Sequence, residues 1–448
     1  MTTSRPSTLT RRQRTKETKE QPERSSSVSV RRGTGERSVR KRQSQPRSKK
    51  RTTAPANRAA ESSRLGRLRR GRARRRTKRL PVTDFGERNA AFLATTVVGL
   101  TLFGLVMVLS ASSVTSLHEL EQSPFFQFKR QGVWAVLGLV AFVAMSRFDY
   151  RKIRGWAKPM YLGVTVLLVL LLVPGVGRTV NGSTRWLALG PLVIQPSELA
   201  KLALIVLVAD LLAQRERRMH HPELTIRPTM LLLGVMALLI VMQPKLGTPL
   251  IMGAVTILML FIAGADTKSL GMWCASAMAL ATVAAVSKPY RMARLLSFMD
   301  PWADPEGNGF QAVQAQVGIS SGGLLGAGLG ASRAKWGFLP FAHTDFIYAI
   351  VAEEVGLLGA GAVIGAFLLI GWFGFKAAIH APDRFGTLLA AGITSWILVQ
   401  AFMNIGMVLS VLPITGEALP FVSAGGSSLV VVLAAAGLLT AVSRRAVT

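Results

Sequence analysis

A series of long apolar segments begins near Asn89 and constrains the fold more than any other feature of the sequence. A helix needs about 20 mostly apolar residues to cross the hydrocarbon core of a bilayer, where its backbone must satisfy its own hydrogen bonds. The sequence therefore predicts an all-α polytopic membrane protein with a bundle of about ten transmembrane helices. The predicted helices cover residues 90–112, 131–146, 159–174, 197–213, 228–243, 249–264, 269–287, 345–375, 387–409 and 427–443.

The residues before these segments differ in composition. They are rich in Ser, Thr, Arg, Pro and Gln and carry most of the net charge of +31. Such a composition is typical of disorder, so we expect residues 1–88 to form a disordered basic cytoplasmic tail ahead of the membrane domain, 89–448. The tail either binds the anionic headgroups of membrane lipids or docks to nucleic acid or a cytosolic partner. Because almost no aromatic residues separate the basic ones, base stacking is unsupported and no nucleic-acid partner is expected.

Three further features narrow the class of protein. The single cysteine, Cys274, lies in an apolar segment, so neither an internal disulfide nor a Cys/His metal cluster is available. The first apolar run has full span length, which predicts a signal anchor rather than a cleavable signal peptide. The sequence shows no internal repeat, which disfavours an inverted-repeat transporter.

Basic residues predict which helix ends face the cytoplasm, because cytoplasmic loops carry an excess of Lys and Arg. The loops after the second, fourth and eighth predicted helices are basic, as are the N-terminal tail and the C-terminal Arg444 and Arg445. Both termini are therefore expected in the cytoplasm. Residues 288–344 then form a long extracytoplasmic loop between helices 7 and 8, and their Gly, Gln, Trp and Leu content indicates order.

An ionisable residue at or inside a membrane helix is costly, which makes it a candidate functional residue. Asp345 lies at the predicted outer end of the eighth helix, and Glu353 and Glu354 lie deeper in it. Asp345 either caps the helix or acts as a general base, and the helix dipole favours its ionised form in both cases. Glu353 and Glu354 point to different faces, so at least one should meet a partner inside the bundle. His343 is interpreted as an interface residue.

A second candidate site lies at the start of the fourth helix. Ser197 follows a proline and suits an N-cap. This places Glu198 and Lys201 three residues apart on one face of the first turn. The pair either forms a structural ion pair or lines a cavity, with Lys201 available to an anionic substrate.

Several cations lie on the predicted outer side, against the general charge trend, where they could bind a pyrophosphate. The candidates are Arg185, Arg291, Arg294, Arg333 and Lys335. The glycine-rich run 320–330 lacks the Lys and Ser/Thr of a P-loop, so the glycines are interpreted as places where the backbone bends along the membrane surface. In residues 412–428, Pro, Gly and small residues indicate either a re-entrant segment packed in protein or close helix packing.

Four motifs in this order resemble the SEDS family of cell-wall polymerases, which includes FtsW, RodA and SpoVE. The motifs are RWL followed by QPSELAK, the DPWADPxGxGFQ loop, HTDFIYAIVAEEVGLLG, and LPITGxxLPFVSxGGSS. The resemblance covers nearly everything after the basic tail. The DPWAD and LPFVS forms are more like FtsW, the division member, than RodA.

The resemblance implies an inverting glycosyltransferase that polymerises lipid II into peptidoglycan strands at the outer face of the bacterial cytoplasmic membrane, with a septal role in cell division. It implies that Asp345 is the catalytic residue and that Glu198 and Lys201 form a pair in the central cavity. A class B penicillin-binding protein and other divisome membrane proteins are the implied partners. A divalent cation, Mg or Mn, is a further expectation, because the pyrophosphate leaving group develops negative charge.

Two positions depart from the family pattern. Lys245 stands where QPDLGT has its Asp, and Ala424 stands where SYGGSS has its Tyr. Neither change touches Asp345 or the Glu198 and Lys201 pair, so an active enzyme is still expected. Two other functions stay open: a lipid II flippase, which needs a polar path through the bilayer, and a non-catalytic scaffold of the division machinery.

Overall fold

The structure is a computed structural model that describes residues 84–118, 123–180, 183–190, 192–287 and 289–447. Most of the predicted basic tail lies outside the described residues, and its last five residues belong to the first helix. All ten predicted membrane helices are present. They are α1 (Asp84–His118), α2 (Phe126–Arg147), α3 (Tyr150–Leu170), α4 (Pro196–Gln214), α5 (Ile226–Val241), α6 (Gly247–Ala263), α7 (Thr267–Val286), α10 (Ile347–Ile379), α11 (Arg384–Val408) and α12 (Ser427–Ser443), with α8 (Pro289–Met299) and α9 (Phe310–Gly322) in the long loop.

The helices have the composition expected of a membrane bundle. By length and apolar character, five of them could cross a membrane: α2, α3, α10, α11 and the part of α1 from Asp84 to Val114. The shorter α5, α6 and α12 are also apolar. Large apolar side chains such as Val136, Leu231 and Met278 are exposed on the outside of the bundle, as suits a surface in contact with lipid. The prediction of an all-α polytopic membrane protein is confirmed.

Helices α4 and α11 form the centre of the bundle. Most residues of both helices are buried. Small residues let the two helices approach closely, since a Cβ on Gly392 of α11 would lie 2.8 Å from the side chain of Ile205 of α4. A charged side chain on α4 must therefore find its partners within the protein.

The connection between α3 and α4, predicted as a loop, contains a three-stranded antiparallel sheet. Strand β2 (Ser183–Leu189) pairs with β1 (Arg178–Val180) and with β3 (Leu192–Ile194), and Leu187 is opposite Ile194. An Asn-Gly dipeptide between two strand-like runs is a hairpin signal that the prediction did not use. The sheet leads directly into Pro196, which begins α4 because proline suits the first position of a helix.

The long loop before α10 forms two helices, α8 and α9, and several turns where it is described. Helix α9 packs against α10. The two Asp-Pro steps form turns: Asp300 accepts a hydrogen bond from the backbone N–H of Trp302, and Asp304 accepts one from Gly307. Such local bonds are the reason that Asp favours turns.

Helix α10 is interrupted at Gly356, where φ is +74° and ψ is −172°. An interruption inside a membrane helix leaves backbone groups without helical partners, and these must be satisfied by other protein groups. The N–H group of Leu357 donates to the carbonyl of Gly323 at 2.9 Å, and that of Leu358 donates to Leu324 at 3.3 Å. The partners of the break thus come from the glycine-rich run.

The same run also satisfies the carbonyl groups before the break. The N–H groups of Ala327 and Gly328 donate to the carbonyls of Glu353 and Glu354, at 2.9 and 3.1 Å. A Cβ on Gly326 would lie only 2.2 Å from the carbonyl oxygen of Glu354, so the two backbones approach as closely as glycine allows. The glycines therefore complete the hydrogen bonding of a broken helix, a role that the sequence alone did not indicate.

Ion pairs link the start of α3 to α4 and to the residues between α10 and α11. Arg154 Nε lies 2.6 Å from Asp210 Oδ1, and Arg151 Nε lies 2.9 Å from Asp383 Oδ2. The hydroxyl of Tyr150 also donates to Asp383. Burial opposes ionisation of Asp383, but the hydrogen bonds from Tyr150, the backbone N–H of Gly386 and Arg151 outweigh it and keep its pKa below the ordinary value.

Candidate active site

Asp345 is half-buried in a turn directly before α10. In this turn the N–H group of Phe346 donates to the carbonyl of Phe341, which delays the start of the helix to Ile347. The N-cap of α10 is therefore Phe346, and the interpretation of Asp345 as the N-cap is wrong by one residue. Burial lowers the pKa of the neighbouring His343, so its imidazole is neutral at physiological pH.

Residues 409–426, between α11 and α12, pack against the turn that carries Asp345. The N–H group of Ala424 donates to the carbonyl of His343 at 3.0 Å, and the hydroxyl of Ser423 donates to the carbonyl of Thr344 at 2.6 Å. The segment is non-helical, and several of its apolar side chains are buried. Of the two interpretations of this region, the structure supports the segment packed in protein.

A single amide connects Asp345 to this 409–426 segment. Asn404 Nδ2 donates to the backbone carbonyls of Asp345 and Glu417, at 2.7 Å in both cases. Next to Glu417 lies Gly416, with φ of +69°, and a Cβ there would be 3.6 Å from Asp345 Oδ2. The carboxylate of Asp345 thus lies directly beside the backbone of Gly416.

Below this contact, Glu198 and Lys201 form an ion pair in the bundle centre, with 2.8 Å between Glu198 Oε2 and Lys201 Nζ. Two further charges complete what we call the core cluster: Lys245, from the turn before α6, and Glu417. Lys245 Nζ lies 3.1 Å from Glu417 Oε1 and 3.5 Å from Glu198 Oε1. Lys201 Nζ lies 3.7 Å from Glu417 Oε2. Each ammonium group therefore meets both carboxylates.

The core cluster is almost completely enclosed. The exposed fractions of its four side chains range from 1% to 8%. Lys201 also donates to Gln400 Oε1 at 2.7 Å, and Thr248 donates to Glu417 Oε1 at 2.6 Å. A small crevice lined by Glu198, Gln400 and residues of the 409–426 segment adjoins the cluster. The geometry is compatible with both interpretations of the Glu198 and Lys201 pair, a structural role and a cavity-lining one.

Lys245 is held by its surroundings as well as by the carboxylates. Arg185, on β2, donates to the carbonyls of Gln243 and Pro244 and so fastens the turn that carries Lys245. Burial opposes the charge of Lys245, but Glu417 and Glu198 outweigh it and raise its pKa. Among the predicted pyrophosphate ligands, Arg185 is thus engaged with backbone beside the core cluster.

The other predicted pyrophosphate ligands are distributed differently. Arg333 has an exposed side chain. Lys335 is buried, and its ammonium group lies 3.3 Å from Glu354 Oε1, so the structure places it in the interior rather than on the loop surface. Arg291 and Arg294 belong to α8, but their side chains lie outside the described part of the structure.

Glu353 and Glu354 are buried beside the break in α10, and both have partners, where at least one was predicted to. Glu353 accepts hydrogen bonds from the hydroxyl of Ser332 at 2.5 Å and from a backbone N–H at 2.8 Å. Glu354 accepts one from the hydroxyl of Ser110 at 2.6 Å, in addition to its ion pair with Lys335. We call Ser110, Ser332, Lys335, Glu353 and Glu354 the break cluster. Their contacts assign them to support of the bundle.

Across the described residues, no group of three or more His, Cys, Asp or Glu side chains could hold a metal ion. Asp345 offers one carboxylate at the candidate site. Mg²⁺ is often bound by one or two carboxylates together with substrate phosphates and water. The donor set therefore suits such a cation only when a phosphate of the substrate completes it.

Sequence reasoning missed the roles of Lys245 and Glu417. A signal was present, because each is an isolated charge among apolar and small residues, in QPKLGT and LPITGEALPF. Both segments are on the same predicted side of the membrane, and their charges are opposite. A search for opposite charges in such segments could have found the pair.

The fold and the site define a class: a multi-pass helical membrane protein with a half-buried aspartate beside an enclosed cluster of four charges. The family model of FtsW, RodA and SpoVE, described as a cell cycle protein, matches residues 90–447. The chain therefore belongs to this family, as its motifs predicted.

Relatives with related names match most of the chain. It is 41% identical to the probable peptidoglycan glycosyltransferase FtsW of Geobacter metallireducens, over 78% of this chain and 92% of that protein. It is 40% identical to stage V sporulation protein E of Bacillus subtilis, over 77% of this chain and 94% of that protein.

Solved structures show the same fold. A chain from a peptidoglycan synthase complex that coordinates polymerization and crosslinking is 32% identical, with a TM-score of 0.65 over 79% of this chain and 96% of that chain. The rod shape determining protein RodA of Thermus thermophilus is 29% identical, with a TM-score of 0.58 over 79% of this chain and 95% of that chain.

Proposed function

We propose that this protein is a peptidoglycan glycosyltransferase that polymerises lipid II, with Asp345 as its general base. The relatives named as peptidoglycan glycosyltransferases support the reaction. The observation that carries the residue assignment is the placement of Asp345: its carboxylate is half-buried beside Gly416, and its backbone is fixed by Asn404. A base must be held within hydrogen-bond reach of the proton that it removes.

The reaction joins the sugar of one lipid II molecule to another. The 4-hydroxyl of the acceptor sugar attacks the anomeric carbon of the donor, and the bond from that carbon to the lipid pyrophosphate breaks. The hydroxyl proton passes to the carboxylate of Asp345, and the electron pair of the broken bond leaves with the pyrophosphate. An α-linked donor that yields a β-linked product requires one displacement with inversion, so a single base suffices.

The leaving pyrophosphate gains negative charge, which nearby cations stabilise. Arg333 is exposed and suited to this role, and Arg291 and Arg294 come from the same loop. Lys335 has no part in it, because it is buried against Glu354. Asp345 and the substrate phosphates would hold Mg²⁺ or Mn²⁺, which would supply further positive charge at the leaving group.

The cellular setting follows from the same reasoning. The protein spans the bacterial cytoplasmic membrane several times, with both termini in the cytoplasm and Asp345 on the outer side. It acts with a class B penicillin-binding protein, which crosslinks the new strands, and with other division proteins at the septum. The structural relative from a synthase complex for polymerization and crosslinking supports such a partner.

The test is a polymerisation assay with purified protein and lipid II, with and without Mg²⁺ or Mn²⁺. Asp345→Asn should abolish polymer formation while the protein still folds. Glu306→Gln removes an exposed carboxylate of the long loop and serves as the matched control, which should keep wild-type activity. Polymer made by folded Asp345→Asn protein would refute the role of Asp345. Movement of lipid II across sealed vesicles without polymer would favour a flippase, and neither activity would favour a scaffold.

A further inference from the structure

The core cluster contains a second ion pair, Lys245 with Glu417, that the family pattern does not account for. Lys245 replaces the Asp of the QPDLGT pattern, and Glu417 occupies a position that the LPITGxxLPF pattern leaves open. Their charged groups lie 3.1 Å apart, and the side chains are 8% and 1% exposed. The departure at Lys245 thus meets an acidic residue at an open position of the pattern, and the two form a single structural unit.

The charges of this unit depend on each other. Glu198 and Lys201 are balanced as a pair, so Lys245 alone would leave a buried excess of positive charge and Glu417 alone an excess of negative charge. An unpaired buried charge is strongly destabilising, whereas replacing both partners of a buried pair by neutral groups is often tolerated. Lys245 and Glu417 should therefore tolerate joint replacement better than single replacement.

Glu417 also connects the core cluster to Asp345. Its backbone carbonyl and that of Asp345 share the amide of Asn404, and a Cβ on the preceding Gly416 would lie 3.6 Å from Asp345 Oδ2. On the other side, a Cβ on Gly247 would lie 2.9 Å from the carbonyl of Thr415, so α6 packs directly on this backbone. Residues 415–417 are thus confined between Asp345 and the turn before α6 that carries Lys245.

We propose that Lys245 and Glu417 are positioning residues, whose ion pair holds residues 415–417 beside Asp345 and so fixes the place of the catalytic carboxylate. This inference rests on the proposed function, in which Asp345 is the base. Lys245 and Glu417 touch no reacting atom in this assignment. They act through the backbone of residues 415–417.

Charge balance and the ion pair itself can be separated with two substitutions. Lys245→Met leaves the core cluster net negative, and Glu417→Gln leaves it net positive, so each single variant keeps an unpaired buried charge and should lower the melting temperature. The double variant restores the balance of charge and should be more stable than either single variant.

The double variant still lacks the ion pair that confines residues 415–417. Its kcat should fall by about 10- to 100-fold, the scale of a small misplacement of a catalytic group, with little change in KM for lipid II. The amide introduced by Glu417→Gln can still accept the hydrogen bond from Thr248, so the double variant should remain folded. Glu223→Gln breaks an exposed ion pair with Arg227 and is the matched control, which should show neither effect.

The experiment measures initial rates of lipid II polymerisation against lipid II concentration, together with thermal unfolding, for the wild type, both single variants, the double variant and the control. A double variant that is more stable than either single variant, with a lowered kcat and an unchanged KM, is expected. A folded double variant with wild-type kcat overturns the proposal, even where a single variant cannot be purified. A rise in KM that accounts for the whole loss of activity also overturns it. Absence of polymer with wild-type protein would instead refute the proposed function.

Discussion

The core cluster and the break cluster both bury two carboxylates in one helical bundle, but they satisfy them differently. In the core cluster, Glu198 and Glu417 face two ammonium groups that come from separate segments. In the break cluster, Glu354 meets the ammonium group of Lys335, whereas Glu353 is satisfied by backbone N–H groups and a hydroxyl.

The difference indicates different roles. Backbone donors hold a carboxylate in one geometry, and at the break they join the glycine-rich run and the following turn to α10. Side-chain ammonium groups balance charge and can be exchanged in pairs. The break cluster therefore stabilises a helix that cannot complete its own hydrogen bonds, whereas the core cluster contains Glu417, whose backbone shares the amide of Asn404 with Asp345.

The largest effect on stability is expected from Glu354→Gln. The change leaves the buried ammonium group of Lys335 without its carboxylate, a loss that typically costs about 3–5 kcal/mol. Thermal unfolding in detergent measures it, with Glu306→Gln as a control for removal of an exposed carboxylate. A melting temperature equal to that of the wild type would contradict the role assigned to the break cluster.

A smaller loss is expected from Gly326→Ala, which tests the contact between the glycine-rich run and α10. The new Cβ would meet the Glu354 carbonyl at 2.2 Å, and overpacking of about 1–3 kcal/mol adds to about 1–2 kcal/mol of backbone strain for an alanine at a left-handed φ. Gly330→Ala is the matched control, because Gly330 has the same φ of +84° but open space at its Cβ position. Equal destabilisation by the two variants would show that only backbone strain, and not the contact, matters.

The smallest effect is expected from Thr248→Val, which tests a hydrogen bond within the core cluster. It removes the hydrogen bond to Glu417, and a bond to a charged group contributes about 1.5–3 kcal/mol. Thr256→Val, on the same helix, removes only a bond to the carbonyl of Met252 and should cost less. If thermal unfolding shows equal losses for the two variants, Glu417 does not depend on Thr248.

Local sequence patterns were sufficient to predict part of the candidate site. The spacing of Glu198 and Lys201 predicted their contact, because residues three apart lie on one helical face. Asp345 was recognised from a charge at a helix start and from the family motif, although the turn from Phe341 to Phe346 moved it out of the capping position. Lys335 was misplaced, because nothing in its local sequence indicates that the chain folds it inward onto Glu354.

By itself, the sequence determined the membrane bundle, since the length of each apolar segment and the cost of unsatisfied backbone in lipid leave few alternatives to helices. The break at Gly356, the burial of Lys335 and the ion pair of Lys245 with Glu417 could be recognised only in the folded structure. The reason is physical: these contacts join segments far apart in the chain, and the energy of a buried charge depends on partners that local sequence does not specify.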